Sequence, residues 1–235
     1  MIGRGPELHR LRQLGASPHV EVAIVAGEPG IGKTRLIDEL RDVLPAGTVV
    51  LRGEAQPGSL GRPYELLLEA LGGRPAAQER LGLLTDPELG PAERLRAAVE
   101  LVEAALGPGP AVLVFEDLHW ADAESTALFE QLADRPGRWL LIGTYRPAEV
   151  TSRRPVEALL ARLDRRHTVT HLLLDRLTPD ETSALLTAAR GRAPSYRTVM
   201  ALHQRTGGNP FYLEELLRAH EGDDLDELAE RPLPW

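Results

Sequence analysis

Apolar residues fall into two recurring patterns along this chain. Short uninterrupted runs, Val20–Ala26, Ala111–Phe115 and Trp139–Gly143, have the composition of strands buried on both faces. Between them lie stretches with apolar residues at helical spacing, such as Leu95, Val99, Val102 and Leu106 within Pro91–Leu106. Two shorter runs, Thr48–Arg52 and Val169–Leu174, complete a set of strands. Helices are predicted over Thr34–Leu44, Tyr64–Leu71 and Pro91–Leu106, and from Asp122 through Leu132. Strands that alternate with helices predict an α/β fold, a parallel sheet in a three-layer sandwich.

After Leu177 the pattern is helical only. Thr178-Pro179-Asp180-Glu181 is a capping box: Thr178 caps, Pro179 takes the first helical position and Glu181 reaches back. A second helix is predicted over Thr198–Arg205, ended by Gly207-Gly208, and a third from Asn209-Pro210 through Ala219. The sequence thus divides into an N-terminal segment (1–17), an α/β core (18–176), a small helical lid (177–220) and an acidic tail (221–235) ending Pro232-Leu233-Pro234-Trp235. The Pro/Gly-rich stretches Gly72–Pro75 and Gly107–Pro110 read as loops, and no internal repeat is visible.

Composition narrows the function classes. The chain has 235 residues, 43% hydrophobic and 26% charged, as expected of a soluble globular protein with one full core and a small appendage. A net charge of −8 argues against direct nucleic-acid binding, which needs a positive surface. Arg153-Arg154 and Arg165-Arg166 are the longest basic runs. Without cysteine there is no disulfide, thiolate metal site or cysteine nucleophile. No signal peptide and no membrane-length apolar run are present, so a cytoplasmic location is expected.

The chain contains a single lysine, Lys33, within Gly27-Glu28-Pro29-Gly30-Ile31-Gly32-Lys33-Thr34. This segment matches the phosphate-binding pattern G-x-x-x-x-G-K-[ST], with a predicted strand before it and a helix after it. Glycines let backbone N–H groups turn inward as an anion nest, and the helix aims its positive end at the phosphates. Lys33 is expected to bridge the β- and γ-phosphates, and the Thr34 hydroxyl to ligate Mg²⁺. Glu116 and Asp117 follow the apolar strand Ala111–Phe115, the form of a Walker B pair. By position, Glu116 is assigned to the metal shell and Asp117 to activation of the attacking water. Arg146 follows the fourth strand, on the side of a parallel sheet that faces the ligand crevice, where it can touch a γ-phosphate. Asp122 reads most simply as a helix N-cap. His119 and Trp120 are expected beside the acids, with no metal role for the lone histidine. Arg165 and Arg166 read as a solvated pair in preference to an arginine finger.

Several segments together resemble one family. Val25–Leu36, Glu116–Asp122 and Gly207–Leu216 resemble the P-loop, Walker B and lid motifs of the STAND-type, AAA-related ATPase domains of large ATP-binding LuxR-family transcriptional regulators. Ile2-Gly3-Arg4-Gly5-Pro6-Glu7-Leu8 resembles their opening motif, with Gly5 where glutamate is usual, and Glu116 stands where many relatives have aspartate. The resemblance covers nearly the whole chain. It implies that Gly3 and Arg4 lie against adenine, that Pro210 covers the base from the lid, and that Arg146 is the sensor arginine. It extends the nucleotide site to Gly27, Glu28, Pro29, Gly30, Ile31, Gly32, Lys33, Thr34 and Arg35. It also implies an ATP/ADP switch with slow Mg-dependent hydrolysis, self-association in the ATP state, and further C-terminal domains for inducer and DNA binding. Two other readings stand beside it: a ring-type ATPase, and a module that binds nucleotide without hydrolysing it.

Overall fold

The computed structural model describes residues 2–57, 63–72, 81–150, 155–166, 168–220 and 224–230. The sheet contains β1 (Glu21–Gly27), β2 (Val49–Glu54), β3 (Ala111–Glu116), β4 (Trp139–Tyr145) and β5 (Val169–Leu174). These strands are all parallel, in the order β2-β3-β4-β1-β5. The chain leaves β1 for the far edge, returns through β3 and β4, then crosses to β5 on the other side of β1. The crevice at the carboxyl ends of such a sheet, where winding reverses, is where ligands bind.

Alternation along the strands assigns each residue to a layer. Val22 and Ile24 of β1, Leu113 and Phe115 of β3, and Trp139 and Leu141 of β4 face one side. There they pack against α3 (Glu65–Leu71), α4 (Pro91–Leu106), α5 (Ala123–Ala133) and α6 (Pro155–Arg166). The intervening Ala23, Val25, Val112, Val114, Leu140 and Ile142 face α1 (Gly5–Gly15) and α2 (Lys33–Val43). Both faces of the central strands are therefore buried, which is why they read as unbroken apolar runs. Each fully buried Leu, Ile or Val contributes about 1.5–3 kcal/mol, and β3 is buried at every position.

The lid comprises α7 (Pro179–Arg190), α8 (Tyr196–Thr206), α9 (Pro210–Ala219) and α10 (Leu225–Glu230). It has its own core of Leu186, Val199, Leu202, Leu213, Leu216, Leu225 and Leu228. The capping box at α7 forms as expected: Glu181 N donates to Thr178 Oγ1 at 3.2 Å and Thr178 N to Glu181 Oε2 at 2.8 Å.

Three elements depart from the sequence reading. The helices α1 and α6 were not among those expected. The first presents one narrow apolar stripe, Leu8, Leu11 and Leu14, and the second is tied to α5 by Arg162–Glu130 (2.6 Å) and Arg166–Glu130 (3.0 Å) ion pairs. The segment read as an acidic tail contains α10, whose Leu225 and Leu228 are buried in the lid core, while Asp226 and Glu227 are exposed. Pro232–Trp235, Arg153-Arg154 and the loop beyond Gly72 lie outside the described residues.

Asp122 links three elements and is buried at 2% exposure. Its carboxylate accepts Ser125 N at 2.7 Å and Ser125 Oγ at 2.5 Å, which caps α5, and also Tyr64 N at 3.2 Å. Tyr64 precedes α3 with a left-handed backbone, φ 59°, which a bulky residue holds only under constraint. Asp122→Ala would remove the cap and leave two buried N–H groups unpaired. We predict a loss of about 2–4 kcal/mol in urea unfolding. A loss below about 1 kcal/mol would show that Asp122 does not organise this junction.

Candidate functional site

The loop after β1 is shaped by its glycines. Gly32 has φ 101° and caps α2 in the left-handed region, so Lys33 opens the helix directly behind the turn. Gly30 has φ 72°, and a Cβ there would come within 2.5 Å of Phe211 Cβ in the lid. Lys33 is 7% exposed, and its Nζ donates to the carbonyl oxygens of Gly27 (2.9 Å) and Glu28 (3.1 Å). Burial pulls the ammonium below the usual lysine range, with Asp117 opposing that shift.

The acids stand at the carboxyl end of β3. Glu116 is 3% exposed. Its Oε2 accepts the Thr34 hydroxyl at 2.8 Å, and its Oε1 is ion-paired with Arg52 Nε of β2. Arg52 also reaches Asp38 of α2 at 2.7 Å. Burial raises the Glu116 carboxyl above its ordinary range, while the Thr34 bond and Arg52 oppose the shift. Asp117 adopts φ 53° and ψ 45°, a left-handed conformation that aspartate tolerates better than most residues. Its N–H donates to the buried Thr144 hydroxyl of β4 at 3.0 Å.

Arg146 follows β4 and touches two acids, Glu149 at 2.9 Å and Asp117 at 3.4 Å. His119 is buried at 1% exposure, with Nε2 3.4 Å from Glu149 and Nδ1 3.9 Å from Asp117. Burial lowers its pKa, and the two carboxylates push the other way. His119 thus sits beside the acids, and its ring lies 5.4 Å from that of Trp120.

The lid reaches this loop directly. Asn209 Nδ2 donates to Pro29 O at 3.0 Å, and Phe211 N donates to Gly30 O at 3.3 Å. Arg35 of α2 pairs with Glu214 of α9, and Arg176 pairs with Glu28 at 2.8 Å. Between loop and lid lies a cleft of about 770 Å³, within the usual size of a small-molecule site. Its polar lining includes Lys33, Thr34, Arg35, Asp117 and Arg146; Pro29, Gly30, Ile31, Gly32 and Pro210 line it as well.

The other expected residues take different places. Arg4 lines the cleft, but its buried guanidinium is occupied by backbone: it donates to Ile31 O at 3.2 Å and to Asp175 O. Gly3 has φ 70° and packs against Glu181 and Leu177. Glu28 is exposed and engaged by Arg176. Glu116 lies behind Thr34. Arg166 is held by Glu130 and Asp134 within its own chain, while Arg165 is exposed. Sequence reasoning missed the apolar lining of Ile2, Leu177, Leu185, Ala188, Ala189 and Leu217. Leu185, Ala188 and Ala189 share one face of α7, but only the packed lid shows that this face borders the cleft. It also missed Arg52, Glu149 and the lid acid Glu214.

These residues fit a nucleotide. The glycine loop offers backbone donors, and the buried ammonium has only carbonyls as hydrogen-bond acceptors. Thr34 and Glu116 form an all-oxygen pair suited to a hard cation such as Mg²⁺. Among the described residues no group of three or more His, Asp or Glu could hold a metal ion, so the remaining ligands would be phosphate oxygens and water. No helix among the described residues is long and apolar enough to cross a membrane.

Comparison with known proteins gives the same direction. The AAA ATPase domain family matches residues 1–142, more than half of the chain. An uncharacterized protein of Rhizobium meliloti (strain 1021) is 27% identical over 265 residues. That match takes in 92% of this chain but 24% of the relative, so the chain spans about a quarter of its length. Among solved structures, the Walker-type ATPase of Pyrococcus abyssi is similar with a TM-score of 0.67 at 16% identity, covering 98% of this chain and 71% of that one. Cdc6p of Pyrobaculum aerophilum is similar with a TM-score of 0.59 at 20% identity, covering 92% and 60%. At these identities the structures show a shared fold.

The position of Arg4 yields a direct prediction. If it ties the P-loop to the end of β5, Arg4→Ala lowers stability in nucleotide-free buffer by about 2–4 kcal/mol, because charged hydrogen bonds are lost and the Ile31 carbonyl is left buried without its partner. Unchanged stability without nucleotide would return Arg4 to a purely ligand-facing role.

Proposed function

We propose that this chain, which belongs to the AAA ATPase domain family, is an ATP/ADP-binding signalling switch with slow Mg-dependent hydrolysis. The observation that carries this reading is the attachment of the lid to the phosphate loop itself. Asn209 and Phe211 bond to the carbonyls of Pro29 and Gly30, so occupancy of the loop and the position of the lid are mechanically linked. A nucleotide that binds the two lid positions with different affinity shifts their populations by that difference and no more. Couplings of this kind are typically about 1–3 kcal/mol.

In this reading Lys33 holds the β- and γ-phosphates, and the loop N–H groups cradle them. Thr34 and Glu116 hold the Mg²⁺, which when bound neutralises phosphate charge. Asp117, fixed in its left-handed conformation by Thr144, orients the attacking water. Arg146 meets the γ-phosphate and so distinguishes ATP from ADP. Ile2, Leu177, Leu185 and Pro210 enclose the base, with Gly3 and Arg4 supporting that wall from beneath. Arg35 anchors the lid through Glu214, and Glu28 does so through Arg176, which also donates to Gly207 O.

The Rhizobium relative, of which the chain spans 24%, supports a module working inside a longer protein. A transcriptional regulator of the LuxR type is our reading of that larger protein, by resemblance of the motifs. Its other domains would carry inducer and DNA binding. Self-association in the ATP state, if it follows the ring-type pattern, needs an arginine offered to a neighbour. Arg166 is already held in its own chain, which leaves the exposed Arg165.

Two outcomes test the switch. The purified chain should release near-stoichiometric ADP on denaturation, and Lys33→Ala should release none. Asp117→Asn should keep the nucleotide and lower phosphate release by about 100-fold or more. Turnover by the isolated chain at ordinary kinase rates of about 1–100 s⁻¹ would contradict a slow switch.

A further inference from the structure

Glu149 has no place in the phosphate-binding motifs, yet it stands against the arginine that would read the γ-phosphate. Arg146 begins the short turn Pro147–Glu149. Glu149 N donates to Arg146 O at 3.0 Å, so the backbone brings the carboxylate back over the arginine. Pro147 occupies the first position of that turn and restricts its φ. Arg146 Nη1 then donates to Glu149 Oε1 at 2.9 Å, while Nη2 reaches Asp117 Oδ2 at 3.4 Å. The second carboxylate oxygen, Oε2, is 3.4 Å from Nε2 of the buried His119. Glu149 is thus placed by its own turn on one side and by a rigid imidazole on the other. Arg146, in contrast, is shared between two separate acids at the cleft wall.

We propose that Glu149 is a positioning residue, a counter-ion that holds Arg146 back from the γ-phosphate and sets how strongly the site prefers ATP over ADP. This rests on the reading that Arg146 meets the γ-phosphate. A γ-phosphate must draw Arg146 away from Glu149 and Asp117 before it gains the contact. ADP makes no such demand, so Glu149 lowers the affinity for ATP and leaves that for ADP nearly unchanged. A chain with this restraint stays in its ADP-bound form until ATP is in excess. Asp117 cannot take over the restraint alone, because its contact with Arg146 is longer and its carboxylate also faces Lys33 and His119.

The test is a double-mutant cycle on the full chain by titration calorimetry, with Mg²⁺ and either ADP or a non-hydrolysable ATP analogue. Glu149→Gln keeps the shape and removes the charge. It should tighten the ATP analogue by about fivefold, the scale of a partly exposed ion pair, and move ADP by less than about twofold. In an Arg146→Ala background the gain should vanish, since no arginine remains to be released. Glu149→Ala should reproduce the effect, and unchanged thermal unfolding of both variants separates it from a general loss of structure. An unchanged or reduced ATP preference in a folded Glu149 variant overturns the proposal, as does a gain that persists without Arg146. If Arg146→Ala itself leaves the ATP preference intact, or the parent binds neither ligand, the sensor reading fails and this inference with it. If Arg146→Ala abolishes the preference while Glu149→Gln changes nothing, the counter-ion alone is refuted.

Discussion

The phosphate loop is fastened from every side, and the rest of the structure follows from those attachments. Arg4 reaches from the N-terminal segment to Ile31 O, and on to Asp175 O at the end of β5. Lys33 turns back onto Gly27 O and Glu28 O. From the lid, Asn209 bonds Pro29 O and Phe211 bonds Gly30 O, while Arg176, just before the lid, holds Glu28. A loop whose backbone N–H groups must face a ligand cannot also use them to bond its neighbours. Its carbonyls and one side chain carry the fastening instead. That division lets the loop be held without bonding its N–H groups to neighbouring elements, although Ile31 N is used within the loop, on Glu28 O at 3.3 Å.

The same economy explains the charges beneath the loop. A buried ammonium and a buried carboxylate are each unfavourable, and both are pushed toward their neutral forms. They remain tolerable because partners are close: Arg52 and Thr34 for Glu116, Asp117 for Lys33. Such pairs are weak sources of stability. The fold is held by the two apolar layers on the sheet and by junctions such as Asp122. The cluster at the strand ends adds little stability of its own, and those layers offset its cost.

Much of this was legible in the sequence, for identifiable reasons. Strands buried on both faces write unbroken apolar runs, so β1, β3 and β4 were visible and their order with the helices predicted the fold. The P-loop and the acid pair were visible because phosphate and Mg²⁺ chemistry demands fixed residue types at short spacing. The long-range contacts around the site were hidden. Arg52 and Glu116 are far apart in sequence, and their meeting depends on β2 lying beside β3 in register, with Glu54 opposite Glu116. Arg4 lines the cleft, but a motif cannot show that its guanidinium also bonds the loop and the end of β5. Helix α10 looked like tail because its acids outnumber the two leucines that anchor it. Glu149 stood three residues from Arg146, close enough to be noticed, but only the turn shows that it doubles back.

The central claim is that occupancy of the loop governs the lid. The chain has no cysteine, so a spin-label pair can be introduced without background. Exposed positions suit this: Asp42→Cys near the end of α2 and Ala219→Cys at the end of α9. Distances measured by double electron–electron resonance should give one narrow, short population with Mg-ADP. With a non-hydrolysable ATP analogue they should give a longer or broader one, with both forms interconverted by exchange of ligand. Identical distributions with ADP, with the ATP analogue and without nucleotide would contradict the account, leaving a P-loop domain whose lid does not respond to what the loop holds.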